Sequence, residues 1–172
     1  MEIVGLTKRN LEQAVNLVEK IFPSEYEEEA GKDELPASLN PDAYRDYLER
    51  TGITPGLKYW VAVEKGRVIG SVGLYCYKED QGEADWLGWF CVDEDFRCKG
   101  TGTKLLLFAI NEAKKHGKEY LRLYTTDDED ELDSHRLYEK YGFKVIETKP
   151  WTGRPELNLT EFIYELNLKA QT

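Results

Sequence analysis

Between Asp93 and Lys104 the chain reads Asp-Glu-Asp-Phe-Arg-Cys-Lys-Gly-Thr-Gly-Thr-Lys. Arg97, Lys99 and Lys104 put three positive charges around Gly100 and Gly102. Glycine lets backbone amides come close to a ligand, and a helix entry adds unpaired N–H groups and the positive end of its dipole. The stretch that follows carries Leu105, Leu106, Ala109, Ile110 and Ala113 on one helical face. Together these features describe a phosphate cradle, set against the plainer alternative of a glycine-softened helix entry with no ligand. A dinucleotide fingerprint would need glycine where Leu105 stands, and a P-loop would need Ser or Thr after Lys104. Neither pattern fits. A second cluster is Ser134-His135-Arg136-Leu137-Tyr138-Glu139-Lys140-Tyr141-Gly142-Phe143. There Ser134, Leu137, Tyr138 and Tyr141 share one helical face, and Gly142 suits a left-handed C-cap. Cys76, Cys91 and Cys98 have no metal-ligand spacing, and neither His116 nor His135 has a second ligand at a useful offset, so no metal is expected.

The surrounding pattern supplies elements to hold these groups. A strand is expected over residues 3–6. Thr7 then caps a helix with Leu11, Ala14, Leu17, Val18 and Ile21 inward, stopped by Pro23. Residues 24–40, with an acidic run and Gly31, Pro36 and Ser38, read as a loop. Asn40-Pro41 opens a second helix that ends near Gly52. Strands follow over 59–63, 67–77 and 84–92, the first two joined by a tight turn at Glu64-Lys65-Gly66. A helix over 100–117, a strand over 120–125, a helix over 130–141 and strands over 143–148 and 157–168 complete the chain. The order βααβββαβαββ implies an α/β fold with one mixed sheet flanked by helices.

The 172 residues suit a single domain spanning 1–172. A formal charge of −10 repels the phosphate backbone, so no nucleic-acid partner is expected. No apolar run approaches the ~20 residues that span a bilayer. The N-terminus is too short and acidic for a signal peptide, and the odd cysteine count suits a reducing compartment, which points to the cytoplasm. Monomer and homodimer both remain open.

Arg97-x-x-Gly100-x-Gly102 after a strand and a short acidic turn resembles the acyl-CoA pyrophosphate loop of the GNAT superfamily of N-acetyltransferases. The segment 137–143, Leu-Tyr-Glu-Lys-Tyr-Gly-Phe, resembles that superfamily's late helix. The resemblance implies transfer of an acetyl group from acetyl-CoA to a primary amine by direct attack. It places the cofactor on Phe90, Cys91, Val92, Arg97, Cys98, Lys99, Gly100, Thr101, Gly102 and Thr103. Amides around Phe90, Cys91 and Val92 would serve the developing oxyanion, and Tyr138 would protonate the departing thiolate. Alkylation of Cys98 is expected to weaken cofactor binding.

The chain departs from the superfamily pattern in two places. No carboxylate stands between Trp86 and Phe90, where members often carry a base; Asp85 and Glu83 are the nearest candidates and His135 a distant one. The frequent Asn and Ala of the late helix are replaced by Glu131 and Ser134. A catalytically silent CoA-binding sensor of the same fold therefore stands as the alternative function. An acidic loop carrying Glu25, Glu27, Glu28, Glu29, Asp33 and Glu34, and a second acidic run from Asp127 to Glu131, suggest a cationic amine acceptor or else an ordinary solvated surface.

Overall fold

Lys65 and Gly66 form the expected tight turn with positive φ at both positions, 49° and 77°. That twist matches the right-handed twist of the strands it joins. In the computed structural model, which describes residues 1–23 and 30–170, this hairpin belongs to a single seven-stranded sheet. The strands are β1 (Glu2–Gly5), β2 (Lys58–Glu64), β3 (Arg67–Tyr75), β4 (Ala84–Val92), β5 (Tyr120–Thr126), β6 (Lys144–Pro150) and β7 (Thr160–Asn167). They lie in the order β1-β2-β3-β4-β5-β7-β6. Only β4 and β5 run parallel. The crossover between them is α4 (Thr101–Lys115), the amphipathic helix after the glycine-bearing turn.

Helices α1 (Leu11–Ile21), α2 (Gly31–Leu39) and α3 (Arg45–Thr51) cover one face of the sheet. Ala14, Leu17, Val18, Leu35 and Leu48 pack there against Tyr59, Val61 and Tyr75. On the other face Leu105, Leu106, Ala109 and Ile110 of α4 meet Ile69, Val72 and Leu121, and α5 (Leu132–Lys140) adds Tyr138. Leu105 and Leu106 are fully buried, which removes each side chain from water and stabilises the fold by about 1.5–3 kcal/mol.

The fold differs from the sequence-based order by one helix. Residues 31–39, expected to be loop, form α2 even though Pro36 lies inside it. Burial of Leu35 and Ala37 against α1 outweighs the weak helix propensity of Gly31, Pro36 and Ser38. The helix expected after Asn40 begins as a 3₁₀ turn, Pro41–Tyr44, before α3. The last strand starts at Thr160, because Pro155–Leu157 is another 3₁₀ turn. Gly142 does take the left-handed C-cap conformation after α5, with φ 89°.

Two irregularities open the sheet at its centre. β4 pairs with β5 only through Ala84, Asp85 and Trp86, opposite Tyr120, Leu121 and Arg122. Beyond that point the two strands have no ladder between them. On its other side β4 pairs Cys91 with Ser71 but Gly88 with Gly73, so one extra residue bulges from β4. Trp89, in the bulge, has φ 40°, a conformation a tryptophan holds only at a cost of about 1–3 kcal/mol.

Candidate active site

The gap between β4 and β5 opens into a cavity of about 810 Å³. Leu87 to Val92 line one side and Leu123 to Thr126 the other. One end reaches the N-terminus of α4, and the other runs under α1 and α2. Beyond Trp86, the β4 amides on the side of β5 have lost their ladder partners and face this gap, a source of donors for a carbonyl oxygen that gains charge.

The α4 end is organised around residues 93–104. Asp93 is buried; its Oδ1 accepts from the Asp95 amide at 3.1 Å and its Oδ2 from Arg67 at 2.8 Å. Burial pushes this carboxyl up, but the Asp95 amide and the Arg67 guanidinium outweigh burial and hold it below its ordinary value. Phe96 lies under two cations, with Arg67 at 5.4 Å and Lys99 at 5.1 Å from its ring centre. Gly100 then turns the chain into α4 with φ 82°, which leaves the amides of Thr101, Gly102 and Thr103 at the first turn without intrahelical acceptors. A Cβ on Gly102 would approach Phe90 and Val92 at 3.7 Å and Leu137 at 3.9 Å, so the missing side chain keeps space free between β4 and α5.

Of the ten residues expected to hold the cofactor, Phe90, Cys91, Val92, Arg97, Cys98, Gly100, Gly102 and Thr103 line the cavity. Lys99 and Thr101 do not. Lys99 braces the turn instead, donating to the Asp95 carbonyl at 2.8 Å, and the Thr101 side chain is buried beneath the helix. Arg97 is exposed and its Nε donates to the Val92 carbonyl at 3.1 Å, which fixes a cation at the end of β4. Cys91 is buried, and burial pushes its thiol up to about 12.

Tyr138 projects from α5 into the cavity wall and is 5% exposed. Its ring is wedged among Phe90, Phe143 and Tyr164, with centroids 6.0, 5.8 and 5.8 Å away. Burial raises this phenol well above its ordinary value; the charge of Glu131 adds to that, while a hydrogen bond with Ser134 acts against it. Glu131, at the place of the superfamily's asparagine, accepts from Thr125 Oγ1 and the Thr126 amide, both at 2.5 Å, and ties α5 to the end of β5.

The three candidate bases lie elsewhere. Asp85 sits at the closed end of β4, where its Oδ2 contacts His116 Nδ1 at 2.6 Å. Glu83 is exposed and paired with Arg122 at 3.2 Å. His135 uses both ring nitrogens, Nε2 toward the Thr126 carbonyl at 2.7 Å and Nδ1 toward the Tyr164 hydroxyl at 2.9 Å. None of the three lines the cavity. Glu34 does, and it is fully buried. Its only sequence signal was membership of an acidic loop, of whose other members Glu25, Glu27, Glu28 and Glu29 lie outside the described residues and Asp33 stands in the first turn of α2. In the second run Asp127 accepts from the Thr160 amide at 2.7 Å and Asp128 caps Asp130 at 3.0 Å, so part of that charge serves turns.

A split parallel pair, a bulged strand, a helix N-terminus and a buried tyrosine thus line one cavity at the centre of a mixed sheet. Residues 13–143 match the model of the acetyltransferase (GNAT) family. The chain belongs to that family and is an acetyl-CoA-dependent N-acetyltransferase. It is 29% identical over 113 residues to an aminoalkylphosphonate N-acetyltransferase of Salmonella typhimurium, covering 64% of this chain and 71% of the relative. It is 28% identical over 152 residues to N-alpha-acetyltransferase 50 of Danio rerio, covering 87% of this chain and 77% of the relative. Among solved structures, an aminoglycoside 6'-N-acetyltransferase complexed with coenzyme A superposes with a TM-score of 0.71 at 18% identity, covering 98% of this chain and 97% of that one. No helix among the described residues is long and apolar enough to cross a membrane.

Proposed function

We propose that the chain transfers acetyl from acetyl-CoA to a primary amine inside the β4–β5 gap, with Tyr138 donating its proton to the leaving sulfur. The observation that carries this reading is the placement of Tyr138 in the wall of the same cavity that ends on the α4 N-terminus. Arg97 and the first-turn amides of α4 suit the pyrophosphate, and the freed space at Gly102 lets the cofactor backbone pass close to the helix. Acetyl-CoA supplies an acetyl group already activated as a thioester.

The chain's own contribution is to hold the carbonyl against those amides of the Phe90–Val92 segment that face the gap and to exclude water around Tyr138. As the amine nitrogen bonds to the acetyl carbon, the carbon–sulfur bond breaks. The Tyr138 hydroxyl gives its proton to sulfur and is reprotonated by the proton that leaves nitrogen. Burial raises this phenol, which keeps it protonated before the reaction and weakens it as an acid toward a thiolate. The relatives named above act on an aminoalkylphosphonate and an aminoglycoside, which supports an amine acceptor here without choosing among amines.

The test joins two measurements on the full chain. Acetyl-CoA is expected to raise the melting temperature, because a ligand that favours the native state stabilises it. Release of CoA thiol is expected when a panel of primary amines is added. Stabilisation without thiol release from any amine would instead support the silent CoA-binding reading.

A further inference from the structure

Resting on that reading, we infer that His135 is a positioning residue for Tyr138. With Tyr164 and Glu139 it forms a clamp on α5 whose hydrogen bonds are complete only while both ring nitrogens carry a proton, so transfer by Tyr138 weakens when one proton leaves.

Helix α5 depends on such a clamp. Of its nine residues only Tyr138 is buried, so apolar packing alone gives the helix little hold. Polar side chains tie it down instead. His135 Nε2 lies 2.7 Å from the Thr126 carbonyl at the end of β5, and Nδ1 lies 2.9 Å from the Tyr164 hydroxyl on β7. The same hydroxyl lies 3.3 Å from Glu139 Oε1, one turn further along α5. The Tyr164 ring is buried, stands 5.8 Å from the Tyr138 ring and meets His135 edge-on at 5.5 Å. One histidine thus joins α5 to two strands beside the group that must reach the sulfur. Displacement of a reacting group by 1 Å costs roughly a hundredfold in rate, so the hold matters.

Counting hydrogens shows which state completes it. A carbonyl oxygen only accepts, so Nε2 must carry hydrogen. In the neutral ring Nδ1 is then an acceptor and takes the single hydrogen of the Tyr164 phenol. The phenol oxygen and Glu139 Oε1 are left facing each other with no hydrogen between them. In the imidazolium, Nδ1 donates to the phenol and the phenol donates to Glu139. All three contacts are satisfied, in a chain that begins on a cation and ends on a carboxylate. Charge-assisted bonds of this kind are roughly twice as strong as neutral ones.

The groups around the ring are arranged for that cation. Asp127, just beyond β5, interacts with its charge, and Glu131, one turn earlier on α5, holds the Thr126 amide. Glu139 stands one turn later, and β7 contributes Tyr164 and the uncharged ring of Phe162 at 5.2 Å. Burial and the Glu139 charge push Tyr164 up to about 12, so the phenol keeps its hydrogen throughout the range in which histidines titrate.

The experiment reads the ring and the helix before it reads turnover. Long-range proton–nitrogen spectra of the full chain show two imidazoles, His116 and His135, assigned by the loss of one in His135→Gln or, should that variant not fold, in His116→Gln. Neutral His135 is expected as the Nε2–H tautomer at about pH 8.5 and as imidazolium at about pH 5.5. The Nδ1–H tautomer would overturn the inference. In the same wild-type sample the Leu137 and Tyr138 amides, corrected for intrinsic pH dependence, should exchange roughly fivefold more slowly when His135 is charged. Equal protection in the two states overturns it. In thiol release, Tyr164→Phe keeps the ring and removes the hydroxyl. Its kcat is expected to fall roughly tenfold at about pH 6 but less than about threefold at about pH 8.5, with KM for acetyl-CoA within about twofold. His135→Gln should match it, and the double variant should fall no further. A loss equal at both pH values, or losses that multiply in the double variant, overturns the inference. Absence of thiol release from the wild type would count against the acetyl-transfer reading, while the tautomer and the exchange rates still decide the clamp.

Discussion

The two ends of the cavity are constructed on different plans. At the α4 end, residues 93–104 form one continuous stretch that offers backbone amides, a helix terminus and one exposed arginine, braced from behind by Arg67 and Phe96. At the α2 end, five elements each contribute a side chain or a gap: Glu34 from α2, Tyr47 from α3, Tyr59 from β2, Gly73 from β3 and Gly88 from β4. The first plan suits a ligand whose recognised part never varies, since backbone amides are the same whatever side chain stands there. The second suits a ligand that distinguishes one relative from another, because a change in any one of five segments alters it.

If the two ends are energetically separate, damage at one should leave the other working. Gly73→Val gives the largest expected effect. Its side chain would overlap the Tyr59 ring, forcing the tyrosine out of its slot and away from Glu34. Overpacking of this kind costs about 3 kcal/mol, a fall of roughly 6–12 °C in melting temperature for a chain of this size. The increment that acetyl-CoA adds should nevertheless persist. Its disappearance would show that the ends are coupled through β3 and β4, and the comparison would fail.

Tyr138→Phe tests the junction between the two ends. Removal of a proton donor from the leaving group should slow thiol release roughly a hundredfold while the acetyl-CoA melting shift stays unchanged. The same variant has a signature in stability. Because burial raises Tyr138 in the folded state, its protonated form stabilises the fold fully below about pH 10, the unfolded value. Above that pH the unfolded chain loses this proton first, and stability declines by about 1.4 kcal/mol per pH unit until the folded group ionises as well. Cys91, pushed up to about 12, contributes a similar decline that begins nearer pH 9. Denaturant unfolding at about pH 10 and about pH 11 should therefore give a shallower decline for Tyr138→Phe than for the wild type. Equal slopes would mean the phenol is better solvated than its packing implies.

The contrast between the ends also explains what could be read from sequence. The turn that leads into α4 was legible because its parts are adjacent: Arg97, Gly100, Gly102 and the amphipathic α4 stand in one window. Tyr138 was legible through helical periodicity, although its raised titration was not, since that depends on Phe90, Phe143 and Tyr164 arriving from three strand regions. Glu34 was hidden for two reasons. Gly31, Pro36 and Ser38 carry loop signals that tertiary packing overrides, and the tyrosines that bind Glu34 lie 13 and 25 positions away. Asp85 misled in the opposite sense, being near the motif in sequence but at the paired end of β4 and engaged with His116. The bulge at Trp89 left no trace, because Trp86 to Phe90 is apolar throughout apart from Gly88 and offers no alternation to break.

Arg97→Ala probes the one side chain on which the backbone plan leans. The residue is exposed and carries no core packing, so stability should change little. Loss of a single charge near a pyrophosphate should weaken acetyl-CoA by roughly tenfold at low salt and by less as salt rises. A loss much greater than this would indicate that the hydrogen bond to the Val92 carbonyl, 3.1 Å, also sets the position of the β4 amides.

The smallest effect is expected from Cys98, and it is the most direct measure of how far backbone alone carries the cofactor. Cys98 is exposed, lines the cavity and holds φ at 60°. Cys91 is buried with its thiol pushed up, and Cys76 is partly buried with burial raising its thiol as well. Iodoacetamide should therefore modify Cys98 first, as read by peptide mass, and leave Cys91 unreacted in the folded protein. The adduct is neutral and sits beside, not on, the amides of Thr101, Gly102 and Thr103. Acetyl-CoA affinity should fall only a few-fold, about 0.5–1 kcal/mol. A loss as large as that of Arg97→Ala would mean the turn depends on side-chain shape as the α2 end does, and the distinction between the two plans would narrow to one of sequence spacing.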